Sequence, residues 1–145
     1  MSAHGFPPAL RLRKRREFDA VFRDGTRASD AVLAVHALPN GGADPRLGLA
    51  VGKAVGGSVV RNRVKRRLRE AFRLHREELP PGHDLVVIPR PESAPDRTLE
   101  EWVLSLVAVA RRAAERHRNG GGGRRRRDGI PPGGRGRRVA EDGTA

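Results

Sequence analysis

The chain has 145 residues, the length of a single domain, and no cysteine, which excludes disulfide bonds and thiolate-ligated metal centres. Its formal charge of +13 and pI near 11.7 favour a polyanionic partner, with nucleic acid ahead of a membrane surface. No apolar run is long enough to cross a membrane and no secretory signal opens the chain, so the cytoplasm is the expected compartment.

The first predicted element is a short amphipathic helix over residues 15–24. Its sequence RREFDAVFRD places three apolar side chains on one face: Phe18, Val21 and Phe22. Gly25 follows as the residue that ends the helix. Residues 1–10 contain proline and glycine, and we expect them to form a mobile N-terminus.

Three segments have the length and composition of β-strands. Residues 31–38 form an apolar run, and residues 46–52 alternate apolar with small side chains. The NGGADP connection between them indicates an antiparallel pair joined by a longish loop. The third strand, residues 84–89, follows a helix, and this strand–helix–strand order predicts that it runs parallel to the second strand.

The segment from residue 58 to residue 76 combines helical periodicity with dense positive charge. Eight of its 19 residues are basic and one is acidic, and the helix is expected to end near Leu79. Its packed stripe consists of Val60, Val64, Leu68, Ala71, Phe72 and His75. Ser58 is the expected N-cap. Arg61 and Arg63 lie near the N-terminus of the helix, where the helix dipole disfavours each cation by roughly 0.3–1 kcal/mol. A phosphate bound at this end would offset that cost, which favours phosphate binding as the reason for their position.

A second long helix and a charged tail complete the chain. Residues 96–117 carry an apolar face, and Thr98 with Glu101 makes a capping box. Residues 118–145 are rich in Gly, Arg and Pro and too poor in apolar side chains to fold alone, so we expect a disordered tail. The predicted fold class is α/β, a small central sheet packed with helices in one domain over residues 11–117.

Three segments together resemble the protein subunit of bacterial ribonuclease P. They read RLRKRREFDAVFRDGTR at 11–27, RLGLAVGKAVGGSVVRNRVKRRLREAF at 46–72 and DLVVIPRP at 84–91, and the tripeptide at 61–63 resembles the RNR signature of that family. The resemblance covers about residues 10–117. It implies a two-layer α/β sandwich like a ribosomal-protein domain, with a left-handed βαβ crossover where general rules favour a right-handed one.

The family's partner is a large catalytic RNA. With bound Mg²⁺, that RNA hydrolyses the phosphodiester that joins the 5′ leader to precursor tRNA. The resemblance therefore implies that this chain is the protein component of ribonuclease P, an endoribonuclease as a holoenzyme, with catalysis in the RNA and not in protein side chains. The protein would lower the repulsion between two polyanions and grip the leader, and the Mg²⁺ would be bound mainly by the RNA.

The resemblance assigns roles to two sets of residues. The basic motif that meets the catalytic RNA corresponds to Lys53, Arg61, Asn62, Arg63, Lys65, Arg66 and Arg69. The aromatic wall that holds the single-stranded leader corresponds to Phe18, Phe22 and His36. Stacking of an unpaired base on such a wall contributes about 1–3 kcal/mol.

Alternatives remain open at several of these positions. Phe18 and Phe22 lie four residues apart on a short helix, so core packing explains them as well, and one can be core while the other lines the cleft. His36 stands where the family usually has an aromatic residue, and it either stacks with less area or is a hydrogen-bonded strand histidine. Gly57 replaces a polar residue that is common before the basic helix, which removes one potential contact to RNA or a hydrated ion.

Other function classes fit the sequence less well. A protein nuclease needs clustered carboxylates or a histidine acid–base pair, whereas the acids here are scattered and the histidines show no ligand spacing. Residues 52–57 lack the GxxxxGK[ST] pattern of a nucleotide-binding loop. The chief alternative is a non-catalytic RNA-binding protein of ribosomal type, and a helix that reads DNA bases through Asn62 is the third. Neither a membrane nor an obligatory protein partner is indicated.

Overall fold

The computed structural model describes residues 8–91 and 97–120, and within these residues three α-helices and four β-strands form one layered unit. In chain order they are α1 (Arg15–Asp24), β1 (Thr26–Ser29), β2 (Leu33–Pro39), β3 (Arg46–Leu49), α2 (Ser58–Leu74), β4 (His83–Pro89) and α3 (Leu99–Arg118). Most of the expected mobile N-terminus and disordered tail lies outside the described residues. At the N-terminal boundary, a 3₁₀ turn over Pro8–Leu10 is formed, and Leu10 already packs in the core.

The sheet has the strand order β1-β2-β4-β3. Strand β4 runs parallel to β3, which confirms the predicted direction. The predicted pairing of β2 with β3 is wrong, because β4 lies between them and pairs with β2 in antiparallel fashion. The apolar strand β4 takes this central place because Leu85, Val86 and Val87 are fully buried there. The handedness of the β3–α2–β4 crossover stays a prediction.

The two faces of the sheet carry two separate cores. Helices α2 and α3 cover one face, and their apolar side chains pack against those of alternate strand positions such as Val35 and Val87. Helix α1 covers part of the other face, where Phe18, Val21 and Phe22 pack against Val86. The neighbouring position on β2, His36, points to the same face as Val86 because the two residues are paired across the strands.

A partly buried ion pair joins the start of β3 to β4. Asp84 is 7% exposed, and its carboxylate accepts two hydrogen bonds from the Arg46 guanidinium, both at 2.8 Å, and a third from Asn40. The bond to Asp84 raises the pKa of Arg46, which keeps it charged. Arg46 also lies 3.6 Å from Glu17 of α1. The network therefore holds the first turn of α1 against this edge of the sheet.

Helix α1 reaches the sheet through Gly25, whose place after the helix was predicted. Its N–H donates to the Val21 carbonyl at 2.9 Å, and its φ of −84° is not left-handed. Glycine is required by close approach, because a Cβ there would lie 2.5 Å from the Val21 carbonyl oxygen and 2.8 Å from that of Ala37.

We therefore expect Gly25→Ala to lower the free energy of unfolding by about 3 kcal/mol, since both obstructing atoms belong to the backbone. Gly52→Ala is the matched control, because nothing lies within 4 Å of its Cβ position. Urea unfolding of both variants tests this expectation. Equal unfolding midpoints for the two would contradict it.

Candidate nucleic-acid interface

Helix α2 presents its charges from a firmly packed base. Val64, Leu68 and Phe72 are buried against the sheet and α3, as the apolar periodicity predicts. The helix ends at Leu74, earlier than predicted, and a 3₁₀ turn over Arg76–Glu78 continues toward Leu79. The predicted N-cap is wrong by one residue. Gly57 holds that position, because its carbonyl accepts the first helical hydrogen bond, from the Arg61 N–H at 2.9 Å.

The predicted RNA-binding residues divide by exposure. Lys53 on its 3₁₀ turn and three residues of α2 are exposed: Asn62, Arg63 and Arg66. Arg61 is half-buried and its Nε donates to the Gly56 carbonyl at 3.2 Å, so its guanidinium also braces the start of the helix. Lys65 is only 3% exposed. In this conformation Lys65 lies on the packed side of α2 and not among its exposed cations.

Arg69 extends the positive surface toward the N-terminal segment. Burial and the charge of the nearby Arg11 lower the pKa of Arg69. Arg11 lies beside Leu47 of β3 through a parallel bridge, so α2 and the segment before α1 meet at this edge of the sheet. Two guanidinium groups held close together repel each other, and a phosphate between or beside them would relieve that repulsion.

The three predicted leader-binding residues lie together on the sheet face that α1 covers. Phe18 has no exposed surface, and its ring fills the space above Gly48. Phe22 is 6% exposed and contacts His36 edge-to-face, with ring centroids 4.9 Å apart. Phe18 and Phe22 thus belong to the same buried cluster in this conformation, and the ring of His36 packs against that of Phe22.

His36 has an unusual environment for a polar side chain. It is 1% exposed, and its Nε2 has no hydrogen-bond partner within the described part of the chain. Burial, with a smaller effect of the Arg27 charge, lowers the pKa of His36 to about 4. The imidazole is therefore neutral at pH 7. No hydrogen bond of Nε2 to a described residue explains why a histidine occupies this buried position.

Sequence reasoning missed a second group of cations beside this pair. Strand β1 was not predicted, because its four residues TRAS are polar, charged or small and do not alternate large apolar with polar side chains. Arg27 of β1 pairs directly with His36 across the strands. Arg90 and Arg116 lie close enough that their charges, after burial, lower the pKa of Arg27. The available signal was the Asp-Gly dipeptide at 24–25, which ends α1 directly before the strand begins at Thr26.

Two other kinds of site find no support in the described residues. No three His, Asp or Glu side chains of residues 8–91 and 97–120 come together as a potential metal centre. None of the described helices is long and apolar enough to span a membrane.

Comparisons with known proteins agree on one family. The family model described as Ribonuclease P matches residues 6–114. The ribonuclease P protein component of Desulfovibrio desulfuricans is 47% identical over 90 residues, which cover 61% of this chain and 69% of that protein. The homologue of Brevibacillus brevis is 42% identical over 104 residues, or 71% and 82% of the two chains. The solved RNase P protein from Thermotoga maritima superposes with a TM-score of 0.66 at 33% identity, covering 70% of this chain and 96% of that one.

Proposed function

The chain belongs to the ribonuclease P protein family, and we propose that it binds the catalytic RNA of ribonuclease P and the 5′ leader of precursor tRNA. In this assembly the RNA removes the leader by Mg²⁺-dependent endonucleolytic cleavage and produces the mature 5′ end. The proposal rests on one observation. In a chain of this family, α2 carries a row of exposed cations while its other side is packed in the core.

Helix α2 is proposed as the contact with the catalytic RNA. Arg63 and Arg66 are exposed on a helix whose opposite side is anchored in the core, so the backbone that carries them is already ordered before phosphates bind. Binding a polyanion also lowers the self-repulsion of a chain with formal charge +13. Both effects favour association and make it strongly salt-dependent.

The sheet face beside α1 is proposed to hold the leader. Phe22 and His36 supply aromatic surface, and the leader is the single-stranded part of the substrate whose bases are free to stack. Both rings are largely covered in the free chain, so the proposal requires that leader binding exposes a ring face that the free chain buries.

The chemistry is proposed to belong to the RNA. The described residues assemble no group of three acidic or histidine ligands, so they do not fit a protein-held two-metal centre. The Mg²⁺ ions of the reaction are accordingly assigned mainly to the RNA partner. The role of the protein is to bind, to position and to reduce electrostatic repulsion between two RNAs.

Reconstitution tests the proposal. A bacterial ribonuclease P RNA is incubated with precursor tRNA at low Mg²⁺ concentration, with and without this protein, and release of the 5′ leader is followed. We expect the protein to restore cleavage that the RNA performs poorly alone. A basic RNA-binding protein of ribosomal type serves as the control. Equal stimulation by that control, or cleavage by this protein without any RNA subunit, would contradict the proposal.

Phe22→Ala is expected to weaken binding of precursor tRNA to the holoenzyme by about tenfold and to leave binding of mature tRNA unchanged, because stacking affects only the leader. The affinities of both tRNAs are measured by fluorescence titration. Val21→Ala is the control from the same helix face, since Val21 is buried in the same core and carries no ring. Equal losses for precursor and mature tRNA would show that Phe22 serves only the core.

A further inference from the structure

A cationic pocket lies beside the start of β3, the strand at one end of the sheet. It has a volume of about 460 Å³ and is formed by the segment before α1, the first turn of α1 and the first residue of β3. Its lining residues are Ala9, Arg11, Arg13, Lys14, Glu17 and Arg46. Four of these six residues are basic and one is acidic, so the pocket attracts an anion.

The segment that carries most of these cations is anchored in the fold. Leu10 is buried in the core that α2 and α3 cover, and Leu12 is buried in the core beneath α1. The Leu12 N–H donates to the Leu47 carbonyl at 2.9 Å, and Arg11 forms a parallel bridge with Leu47. Because this backbone is fixed before a ligand arrives, binding has to order side chains only, which reduces its entropy cost.

The carboxylates at the pocket are already engaged within the protein. Asp84 accepts two hydrogen bonds of 2.8 Å from the Arg46 guanidinium behind the pocket wall. Glu17 Oε1 accepts from the backbone N–H groups of Arg13 at 2.9 Å and Lys14 at 3.0 Å. The side chains of Arg13 and Lys14 are exposed, so the pocket keeps an excess of positive charge toward solvent.

The pocket is continuous with the cationic surface of α2. Burial and the charge of Arg11, which lines the pocket, lower the pKa of Arg69. Arg69 follows the exposed Arg66 by three residues, so the two are neighbours on α2. A path of cations therefore runs from α2 around the edge of the sheet into the pocket. Neither Phe22 nor His36 lines it, which separates the pocket from the face proposed for the leader.

We propose that this pocket binds a backbone phosphate of the catalytic RNA, so that the RNA-binding surface extends from α2 around the edge of β3 to the start of α1. The inference rests on the proposed function and adds a contact outside α2. Arginine and lysine N–H groups match the oxygens of a phosphodiester, and its single negative charge offsets the excess positive charge of the pocket. Continuity with α2 favours the catalytic RNA over precursor tRNA as the source of the phosphate.

Two neighbouring pairs of substitutions test this contact. Arg13→Gln with Lys14→Gln removes two exposed charges that line the pocket. Arg15→Gln with Arg16→Gln is the matched control, because it removes two exposed charges at the next two positions, which do not line the pocket. Filter binding of each full-length protein to a bacterial ribonuclease P RNA is measured over a range of salt concentrations.

We expect the pocket pair to weaken binding of the catalytic RNA about tenfold and to reduce the log–log salt slope by about one, the value for one phosphate. The control pair should lose much less of both. With the holoenzyme assembled at saturating protein concentration, the pocket pair should bind precursor and mature tRNA as the wild type does. A loss confined to binding of precursor tRNA would assign the phosphate to the substrate and overturn the proposal.

Failure of the pocket is distinguishable from failure of the proposed function. If the wild type binds the catalytic RNA no more tightly than an unrelated RNA of the same length, the proposed function itself is wrong. If the wild type prefers the catalytic RNA and the two pairs lose equal affinity, the pocket alone is wrong. Thermal melting of each variant precedes the binding experiments. If the pocket pair melts early, Arg13→Gln compared with Arg15→Gln decides the question, because residue 13 contacts Glu17 through its backbone N–H.

Discussion

Acidification is expected to remove about 3 kcal/mol of folding stability through His36 alone, because its pKa falls from 6.5 in the unfolded chain to about 4 in the folded one. Burial of the imidazole among apolar side chains is the main cause, and the charge of Arg27 adds to it. Protonation would place a charge in a site that is 1% exposed.

The direction follows from proton uptake. Between pH 6.5 and about pH 4 the unfolded chain holds a proton on His36 and the folded chain does not, so stability falls as the pH falls. The contribution is fully present above pH 6.5. Glu17 and Asp30 act at lower pH. Burial raises their pKa values, but two backbone hydrogen bonds to each carboxylate, from Lys14 and Arg13 and from Leu33 and Val32, together with nearby charges, lower them below 4.5 and 3.8. Their contributions are lost only when the pH falls below those values.

Urea unfolding at a series of pH values from 7 to 4.5 measures this effect. His36→Phe removes the titrating group while keeping an aromatic ring beside Phe22, so its stability should change much less over this range than that of the wild type. Parallel pH profiles for the two proteins would show that His36 is not the group responsible.

Replacing Arg63 and Arg66 together by alanine is expected to weaken assembly with the catalytic RNA on the order of 100-fold, since each charge-assisted contact to a phosphate contributes about tenfold. The log–log dependence of affinity on salt should flatten by about two, one for each lost contact. These two arginines are preferred to Arg61 because both are exposed, whereas Arg61 also holds the Gly56 carbonyl. Filter binding to the RNA subunit at several salt concentrations measures both quantities.

The control for this pair removes the same two charges elsewhere. Arg23→Ala with Arg111→Ala changes the exposed C-terminal end of α1 and the outer side of α3, so it should cost little affinity and leave the salt slope nearly unchanged. Replacement of Arg63 and Arg66 by lysine should keep most of the slope, because the charge remains. Equal losses in the two double-alanine variants would mean that net charge, and not the surface of α2, determines assembly.

Local patterns in the sequence predicted the three helices, three of the four described strands and the main candidate surface. The spacing of Phe18, Val21 and Phe22 predicted α1 at its observed bounds, and the Thr98–Glu101 capping box is present at the start of α3. The periodicity of α2 predicted which side is packed. These features depend on interactions within three or four residues along the chain, which a single sequence displays directly.

Tertiary structure alone decided which residues share a surface. The position of β4 between β2 and β3, the burial of Lys65 and the meeting of Arg27 with Arg116 all depend on contacts between residues far apart in the chain. Periodicity assigns a side chain to a face of its own helix or strand, but it contains no information about the partner of that face. Strand order is set by competition for the buried centre of the sheet, and β4 occupies it because both of its faces are apolar.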